Sequence, residues 1–413
     1  MARKATDFFP ESDVAVTGVG MITPLGISAP ECWENMLLGR SGIRPITKFD
    51  VSECPVKIGG QLPESYDLLE KSMIHKRTFK QTVTSTRIAM ICASEAIKDS
   101  RLEINAVDSR RCAVIFGTTG SSVRTLAEHV DGPDKFKIIR EMFNAAAARI
   151  SMDFGFKGYS FTISAGSESG TCAIAKAYDL IRHNMADVVI ACGADTLLTA
   201  NFLRRLKAFQ CLCRNTPDPG HAIKPFDKNR SGFAVSDGGC AVVLESIRSA
   251  NQRNADIYAI MSGYGNISQF SVHQPDTAMT RSMELAVNQS GISKEKIGYI
   301  NANGTGTTTN DLSETRAIKT VFGNQAHDLL ISAHKSMIGH TFSASGVIGF
   351  AVAAKSLKSG MIPPTINYET PDPLCDLNYV PNEMIGSDNG AAIVNSFGLT
   401  GHYFSLVLKS SEH

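Results

Sequence analysis

The 413-residue sequence lacks the features that define several protein classes. Its net charge is only +1, so no strongly basic composition indicates nucleic-acid binding. No apolar run is long enough to cross a membrane, and the residues after Arg3 and Lys4 do not form the apolar core of a signal peptide. Histidine is sparse, and Cys211 and Cys213 have no second pair of ligands nearby. We therefore expect no membrane, no nucleic acid, no metal and no other cofactor.

The ten cysteines are spread unevenly, and several lie inside apolar runs, such as Cys92, Cys192 and Cys240. This placement is typical of reduced thiols packed in a core and predicts a cytoplasmic protein. The hydrophobic fraction of 43% is ample for a large core, and the length suits two fused α/β halves.

The most informative stretch is 163–174, Ile-Ser-Ala-Gly-Ser-Glu-Ser-Gly-Thr-Cys-Ala-Ile. A strand-like approach leads into small residues, and a helical pattern starts near Ser169. A tight strand-to-helix turn places one side chain at a helix N-terminus, where unpaired N–H groups favour negative charge. Enzymes use this geometry for nucleophiles and oxyanion holes, but it is equally typical of a packing turn.

The second half of the chain repeats the pattern of the first. A strand over 14–20 ends in Gly-Val-Gly, and a strand over 257–265 ends in Gly-Tyr-Gly. Ile-Ser-Ala at 331–333 matches Ile-Ser-Ala at 163–165. We interpret this as an internal duplication of two α/β halves, joined near residues 246–256, whose turns face each other at a shared central site.

Five segments, in order, resemble the β-ketoacyl-ACP synthases of the thiolase superfamily, specifically the elongating class of fatty-acid and polyketide synthases. They are VAVTGVGMITPL (14–25), KPFDKNRSGFAVSDGGCAVVLE (224–245), NANGTGTTTND (301–311), SAHKSMIGHTFSASG (332–346) and NSFGLTG (395–401). The resemblance implies a thiolase-like α/β fold: two duplicated βαβαβ halves in a five-layer αβαβα arrangement. The predicted domains are 1–250 and 251–413, the first carrying the turn at the nucleophile position.

The family's elongating members use one cysteine, two histidines and a lysine. At the matching positions this sequence has Ser167 for the cysteine and Asn303 for the first histidine, while His340 and Lys335 are retained. Leu399 stands where the family has an aromatic gate over the acyl pocket. The resemblance therefore assigns the catalytic positions to these residues, with Ser167 as a vestigial nucleophile.

These departures decide the expected chemistry. A serine hydroxyl is far less acidic than a thiol and needs a general base, for which His340 is the remaining family histidine. Asn303 can donate a hydrogen bond but cannot cycle a proton. Glu168 adds a carboxylate whose charge, if it points inward, opposes oxyanion stabilisation. An engineered cysteine-to-serine change would not explain Asn303 or Leu399.

The resemblance also implies an oxyanion hole from the backbone N–H groups of Ser167 and Leu399. We expect the acyl pocket to be lined by Leu399, Phe202 and Met142, the last on a helix over 137–154. The family dimerises through strands beside the nucleophile segment, here 187–191 or 159–163.

Each candidate also has a structural interpretation. Lys335 could be a surface charge, His340 could cap or pack its helix, and Asn303 could be a turn residue. Structural roles are expected for four further residues: Asp227, Arg230, Asp237 and Cys172.

Three functions remain open. The leading one is a non-condensing homologue, like the chain-length factor of a type II polyketide synthase, which pairs with an active ketosynthase and helps set pocket depth. The second is a Ser167-dependent acyltransferase or decarboxylase acting on acyl-carrier-protein thioesters. The third is an ordinary condensing homodimer. In all three the expected partners are an acyl carrier protein and a second ketosynthase-like subunit.

Overall fold

The computed structural model describes residues 13–120, 135–269 and 275–411. The described helices are α1 Ala29–Leu37, α2 Ser65–Met73, α3 Lys76–Gln81, α4 Thr84–Ser100, α5 Lys137–Glu141, α6 Ala145–Phe154, α7 Ser169–Arg182, α8 Ala200–Leu206, α9 Ile247–Gln252, α10 Pro275–Ser290, α11 Thr308–Phe322, α12 Lys335–Ile338 and α13 Ser343–Ser359. The described strands are β1 Val14–Ile22, β2 Arg44–Pro45, β3 Ile58–Gly59, β4 Cys112–Gly117, β5 Ser160–Ile163, β6 Val188–Asp195, β7 Gly238–Ser246, β8 Ala259–Ser268, β9 Ile297–Asn301, β10 Leu330–Ser332, β11 Met361–Ile362, β12 Ile385–Gly386, β13 Ala391–Phe397 and β14 His402–Lys409.

Ten strands form one sheet in the order β10-β9-β13-β14-β8-β1-β7-β6-β4-β5. The sheet contains two sets of five strands with the same connectivity. In chain order, the set at one end is β1, β4, β5, β6 and β7, and the set at the other end is β8, β9, β10, β13 and β14. In each set the second strand pairs in parallel with the third and fourth, and the fifth runs antiparallel between the fourth and first. The predicted duplication is therefore confirmed, and β1 joins the two sets by pairing with β8.

Each half follows the order β-α-β-α-β-α-β-β, so it extends the predicted βαβαβ unit by one helix and two strands. Helices α7 and α13 contact each other and lie between the two halves of the sheet, while α4 and α6 cover one outer face and α10 and α11 cover the other. This is the predicted five-layer arrangement. The division at residue 250 stays a prediction; β7 ends at Ser246 and β8 begins at Ala259.

Strand β6 shows why the core strands are apolar at almost every position. Val189 and Ala191 pack toward α7 and α13, whereas Val188 and Ile190 pack toward α4. Because successive side chains point to opposite faces and both faces are covered, no position can be polar without cost.

The two central helices cross closely near their N-termini, and glycine makes this possible. A Cβ on Gly170 of α7 would lie 2.1 Å from the carbonyl oxygen of Ser343, and one on Gly346 of α13 would lie 1.8 Å from Thr171 Oγ1. The small residues after Ile163 therefore serve a packing function as well as forming the turn.

The prediction of one helix over 137–154 is wrong in one respect, because this segment forms two helices. Met142 adopts extended backbone angles (φ −67°, ψ 127°) that end α5, and α6 begins at Ala145. The exposed side chains of Met142 and Phe143 gain no core contacts that would hold a continuous helix.

All ten cysteines are free thiols, and all but the half-buried Cys172 are buried. The predicted packing of these thiols in the core is thus confirmed. Within the described ranges, no helix combines the length and apolar character needed to span a bilayer.

Candidate active site

Ser167 lies where strand β5 passes into helix α7. The helix begins at Ser169 with Glu168 as its N-cap residue, and Gly166 takes the left-handed φ of +69° that turns the chain. The Ser169 hydroxyl fixes the turn by accepting from the backbone N–H of Ala165 at 2.8 Å and donating to the carbonyl oxygen of Gly166. The sequence therefore holds Ser167 half-buried at the N-terminus of a central helix.

Glu168 points inward. Ser167 Oγ donates a hydrogen bond to Glu168 Oε1 at 2.6 Å, and the glutamate is only 1% exposed. Burial raises the pKa of this carboxyl to about 7, although the hydrogen bond from Ser167 and the charge of Lys335 act in the opposite direction. The site thus holds a carboxyl that titrates near neutral pH beside the hydroxyl at the nucleophile position.

A cavity of about 140 Å³ opens beside these groups. It is lined by Ser167, Phe233, Pro275, Met279, Thr305, Thr307, Thr309, Asn310, His340, Phe397, Gly398, Leu399 and Tyr403. Its volume is close to that of an apolar cavity that admits one benzene molecule, so it can take a short acyl group.

The Asn303 side chain lies behind this cavity, and both ends of its amide group make hydrogen bonds. Its Nδ2 donates to Asn310 Oδ1 at 2.8 Å and to the carbonyl oxygen of Phe397 at 3.0 Å, while its Oδ1 accepts from Lys335 Nζ at 3.2 Å. Its backbone N–H donates to Glu314 Oε1 at 2.9 Å. The amide is therefore held as a structural bridge.

Lys335 is buried, not a surface charge. Its ammonium donates to the carbonyl oxygen of Asn303 at 2.7 Å as well as to that side chain. Burial lowers its pKa to about 8, against the charges of Glu314, Glu168 and Asp311, which raise it. Lys335 is thus a buried cation whose charge is stabilised by three buried carboxyl groups.

His340 presents a hydrogen-bond donor to the cavity. Its Nδ1 accepts from the backbone N–H of Phe342 at 3.2 Å and lies 3.0 Å from Ser345 Oγ. Burial, with the charge of Lys335, lowers the pKa of the imidazole well below its usual value, so the ring is neutral and its proton is on Nε2. In this state His340 can stabilise developing negative charge, but it cannot accept a proton from Ser167 at Nε2.

The structure brings Ser167, His340 and Leu399 to one cavity, with Lys335 and Asn303 directly behind it. Leu399 is 56% exposed at the rim. Phe202 is outside the lining: it packs edge-to-face on Phe342, whose ring stacks on His340. Met142 also lies outside the lining and is 49% exposed.

Three of the four residues for which we expected structural roles, Asp227, Arg230 and Asp237, make structural contacts, the last by accepting from the backbone N–H of Leu198. Asp227 accepts from the backbone N–H groups of Glu369 and Thr370, and Arg230 pairs with Asp372 at 2.6 Å. None of Asp227, Arg230, Asp237 and Cys172 lines the cavity. Across the described ranges, no cluster of three histidine, cysteine, aspartate or glutamate side chains is arranged to bind a metal.

Sequence reasoning missed the carboxyl network under Asn303. Glu314 accepts from the backbone N–H groups of Asn303 and Gly304, and Asp311 accepts from that of Gly306. A usable signal was present, since Asn310, Asp311 and Glu314 share one face of α11 at spacings of three and four residues.

This fold, with a serine at the N-terminus of a central helix and a retained lysine–histidine pair opposite, defines a thiolase-like protein of the ketosynthase class. Residues 11–250 match the model of the β-ketoacyl synthase N-terminal domain, and residues 256–369 match that of the C-terminal domain. The chain belongs to the β-ketoacyl synthase family, whose members are transferases.

Known relatives agree over nearly the whole chain. The chain is 33% identical over 411 residues to 3-oxoacyl-[acyl-carrier-protein] synthase 2 of Synechocystis sp., covering 97% of this chain and 98% of the relative. It is 34% identical over 407 residues to the protein of the same name from Coxiella burnetii, covering 96% and 98%.

Solved structures agree as well. A ketosynthase complex of a type II polyketide synthase, with its acyl-carrier protein and a bound hexaketide, superposes with a TM-score of 0.88 at 27% identity, covering 97% of this chain and 100% of that one. The ishigamide ketosynthase/chain length factor superposes with a TM-score of 0.87 at 28% identity, with the same coverage.

Proposed function

We propose that this chain is a non-condensing ketosynthase homologue, like a chain-length factor. It pairs with an active ketosynthase in type II polyketide or fatty-acid-like biosynthesis, in the cytoplasm, and shapes the acyl pocket. The single observation that carries the proposal is that the side-chain amide of Asn303 is held by hydrogen bonds. Elongating members place a histidine there, whereas here an amide is held by Asn310, Phe397 and Lys335 and cannot carry a proton or imidazolium charge.

The nucleophile position supports the same conclusion. Ser167 offers a hydroxyl where condensation uses a thiolate, and the carboxyl of Glu168 lies 2.6 Å from it. A negative charge at this point opposes the build-up of negative charge on an oxyanion or enolate. Condensation in the complex is therefore assigned to the partner's own site.

The experiment is to purify this chain with a candidate ketosynthase encoded beside it and to follow product formation from acyl and malonyl carrier protein. Ser167→Ala should leave the condensation rate of the complex within about twofold. Alanine at the partner's nucleophilic cysteine should abolish product. A loss of product that follows Ser167→Ala while the complex stays assembled would contradict the proposal.

Strand β5 is the proposed pairing surface. Among the described residues β5 pairs only with β4, on one edge, and the side chains of Phe161 in the strand and Tyr159 just before it are exposed. An unpaired strand with exposed aromatic side chains favours the addition of another chain's strand. The ketosynthase and chain-length-factor pairing named for one structural neighbour supports a heterodimer here.

A charge on this edge should prevent pairing. Phe161→Glu would bury a carboxylate against the partner, so we expect the complex to dissociate at micromolar concentration in sedimentation experiments. Leu374→Glu, at an exposed apolar residue away from β5, is the matched control and should leave the complex intact. If both variants assemble like the wild type, β5 is not the interface.

The acyl pocket is proposed to include Leu399, Phe202 and Met142, closed by the partner. Phe202 reaches the site through Phe342, and the exposed Met142 is available for contact with another subunit. Carrier-protein binding is proposed on the family resemblance and on the neighbour that contains such a complex.

One contact favours a second candidate function, Ser167-dependent acyl transfer or decarboxylation on carrier-protein thioesters. The expected base, His340, has its proton on Nε2 and cannot serve. The carboxyl of Glu168 is within hydrogen-bond reach of Ser167 and can take that role.

A further inference from the structure

The hydrogen bond between Ser167 and Glu168 has a geometry suited to proton transfer. The hydroxyl donates to Oε1 at 2.6 Å, and the adjacent cavity gives a substrate access to Ser167. The carboxyl packs against Gly398, where a Cβ would lie 1.8 Å from Oε2, so no other side chain can replace that glycine without displacing the glutamate.

Oε2 of Glu168 is buried and has no hydrogen-bond partner among the described residues. A buried carboxylate that accepts several hydrogen bonds is stabilised as an anion and loses basicity. Here the hydrogen bonds from Ser167 and from the backbone N–H of Glu168 itself lower the pKa, but burial outweighs them and the carboxylate stays basic. The Glu168 carboxylate can therefore accept the proton of the Ser167 hydroxyl.

We propose that Glu168 is the general base that activates Ser167, and that Ser167 takes a short acyl group from a thioester and releases it to water. This activity goes beyond the non-condensing role and does not depend on the heterodimer. The cavity of about 140 Å³ fits a short acyl group, so the proposed substrates are short acyl thioesters.

In the acylation step, Ser167 Oγ attacks the thioester carbonyl carbon while Glu168 Oε1 takes the hydroxyl proton. The tetrahedral intermediate then collapses: the carbon–sulfur bond breaks, and the leaving sulfur takes the proton from Glu168. The products are an acyl ester on Ser167 and a free thiol.

In the second step water attacks the ester carbonyl as Glu168 takes one of its protons. The bond to Ser167 Oγ breaks, the serine recovers the proton, and a carboxylic acid leaves. In both steps His340 Nε2–H lies in the same cavity and can donate to the oxyanion, since its Nδ1 is occupied by the N–H of Phe342.

The pH dependence should follow the Glu168 carboxyl. Its pKa of about 7 is set by burial, with the charge of Lys335 opposing, and Tyr403 and His340 are the other titratable groups at the cavity. Because the base must be ionised, the acylation rate should rise with pH through about 7 and then level off.

The test uses the full chain and butyryl-N-acetylcysteamine, with intact-mass and peptide-mapping readouts. The wild type should gain one butyryl group on Ser167 and release free thiol. Ser167→Ala should lose the label, and Glu168→Gln should slow acylation by about 10²-fold or more and remove the rise with pH. Cys172→Ala is the matched control, because Cys172 is the half-buried thiol nearest in sequence, and it should label like the wild type.

Thermal unfolding of each variant confirms that the fold is retained. A label on Cys172, no label in the wild type, or an unchanged rate and pH profile in Glu168→Gln would each overturn the proposal. The condensation rate of the assembled complex tests the non-condensing role separately, because that role requires no chemistry at Ser167.

Discussion

Replacing Glu168 by glutamine should stabilise the folded chain, and the gain should be much larger at pH 8 than at pH 5. The carboxyl has a pKa of about 7 in the folded chain because it is buried, and a usual value of 4.5 when exposed. A raised pKa means that the folded state favours the protonated acid, so ionisation destabilises the fold as pH rises through this range. The glutamine cannot ionise and escapes that cost.

The expected gain is on the order of 3 kcal/mol at pH 8 and about 1 kcal/mol at pH 5, from the difference between the two pKa values. Denaturant unfolding at the two pH values measures it. Glu53→Gln, at an exposed acid, is the control and should change the free energy of unfolding by less than about 0.5 kcal/mol at either pH. An equal effect of Glu168→Gln at both pH values would show that the carboxyl does not titrate as described.

Lys335→Met should cost about 3–5 kcal/mol of stability, because it removes a buried cation and leaves its partners uncompensated. The ammonium donates to the backbone and side-chain oxygens of Asn303 and lies in the field of Glu314, Glu168 and Asp311. Methionine fills similar volume but satisfies none of these groups.

Lys176→Met is the matched control. Lys176 also pairs with a carboxylate, Asp179 at 2.9 Å, but its side chain is 52% exposed, so the expected cost is below about 1 kcal/mol. Urea unfolding of both variants at pH 7 gives the comparison. Equal costs for the two lysines would mean that the buried network does not depend on its cation.

Much of the fold could be predicted because it depends on local patterns. Apolar strands that end in glycine, repeated after residue 257, predicted the duplication, and both sets of five strands show it. The break at Met142 was not predictable from the apolar and alanine-rich sequence around it. Whether that helix continues depends on core contacts, and the structure gives its exposed side chains none.

The sequence predicted which residues form the site better than it predicted their protonation and orientation. Motif order placed Ser167 and His340 together, as the cavity shows. The proton position on His340 depends on the backbone N–H of Phe342, a residue in the left-handed region (φ +50°) that favours glycine and that no pattern in the sequence predicts. The direction of the Glu168 side chain depends on the space left by Gly398, which is distant in sequence.

The central claim is that this chain does not condense. The most direct measurement is product analysis of the purified chain incubated with acyl and malonyl carrier protein, alone and after assembly with an active ketosynthase. We predict no β-ketoacyl product from the chain alone and product from the complex, unchanged by Ser167→Ala. A β-ketoacyl product formed by the isolated chain and lost in Ser167→Ala would contradict the account.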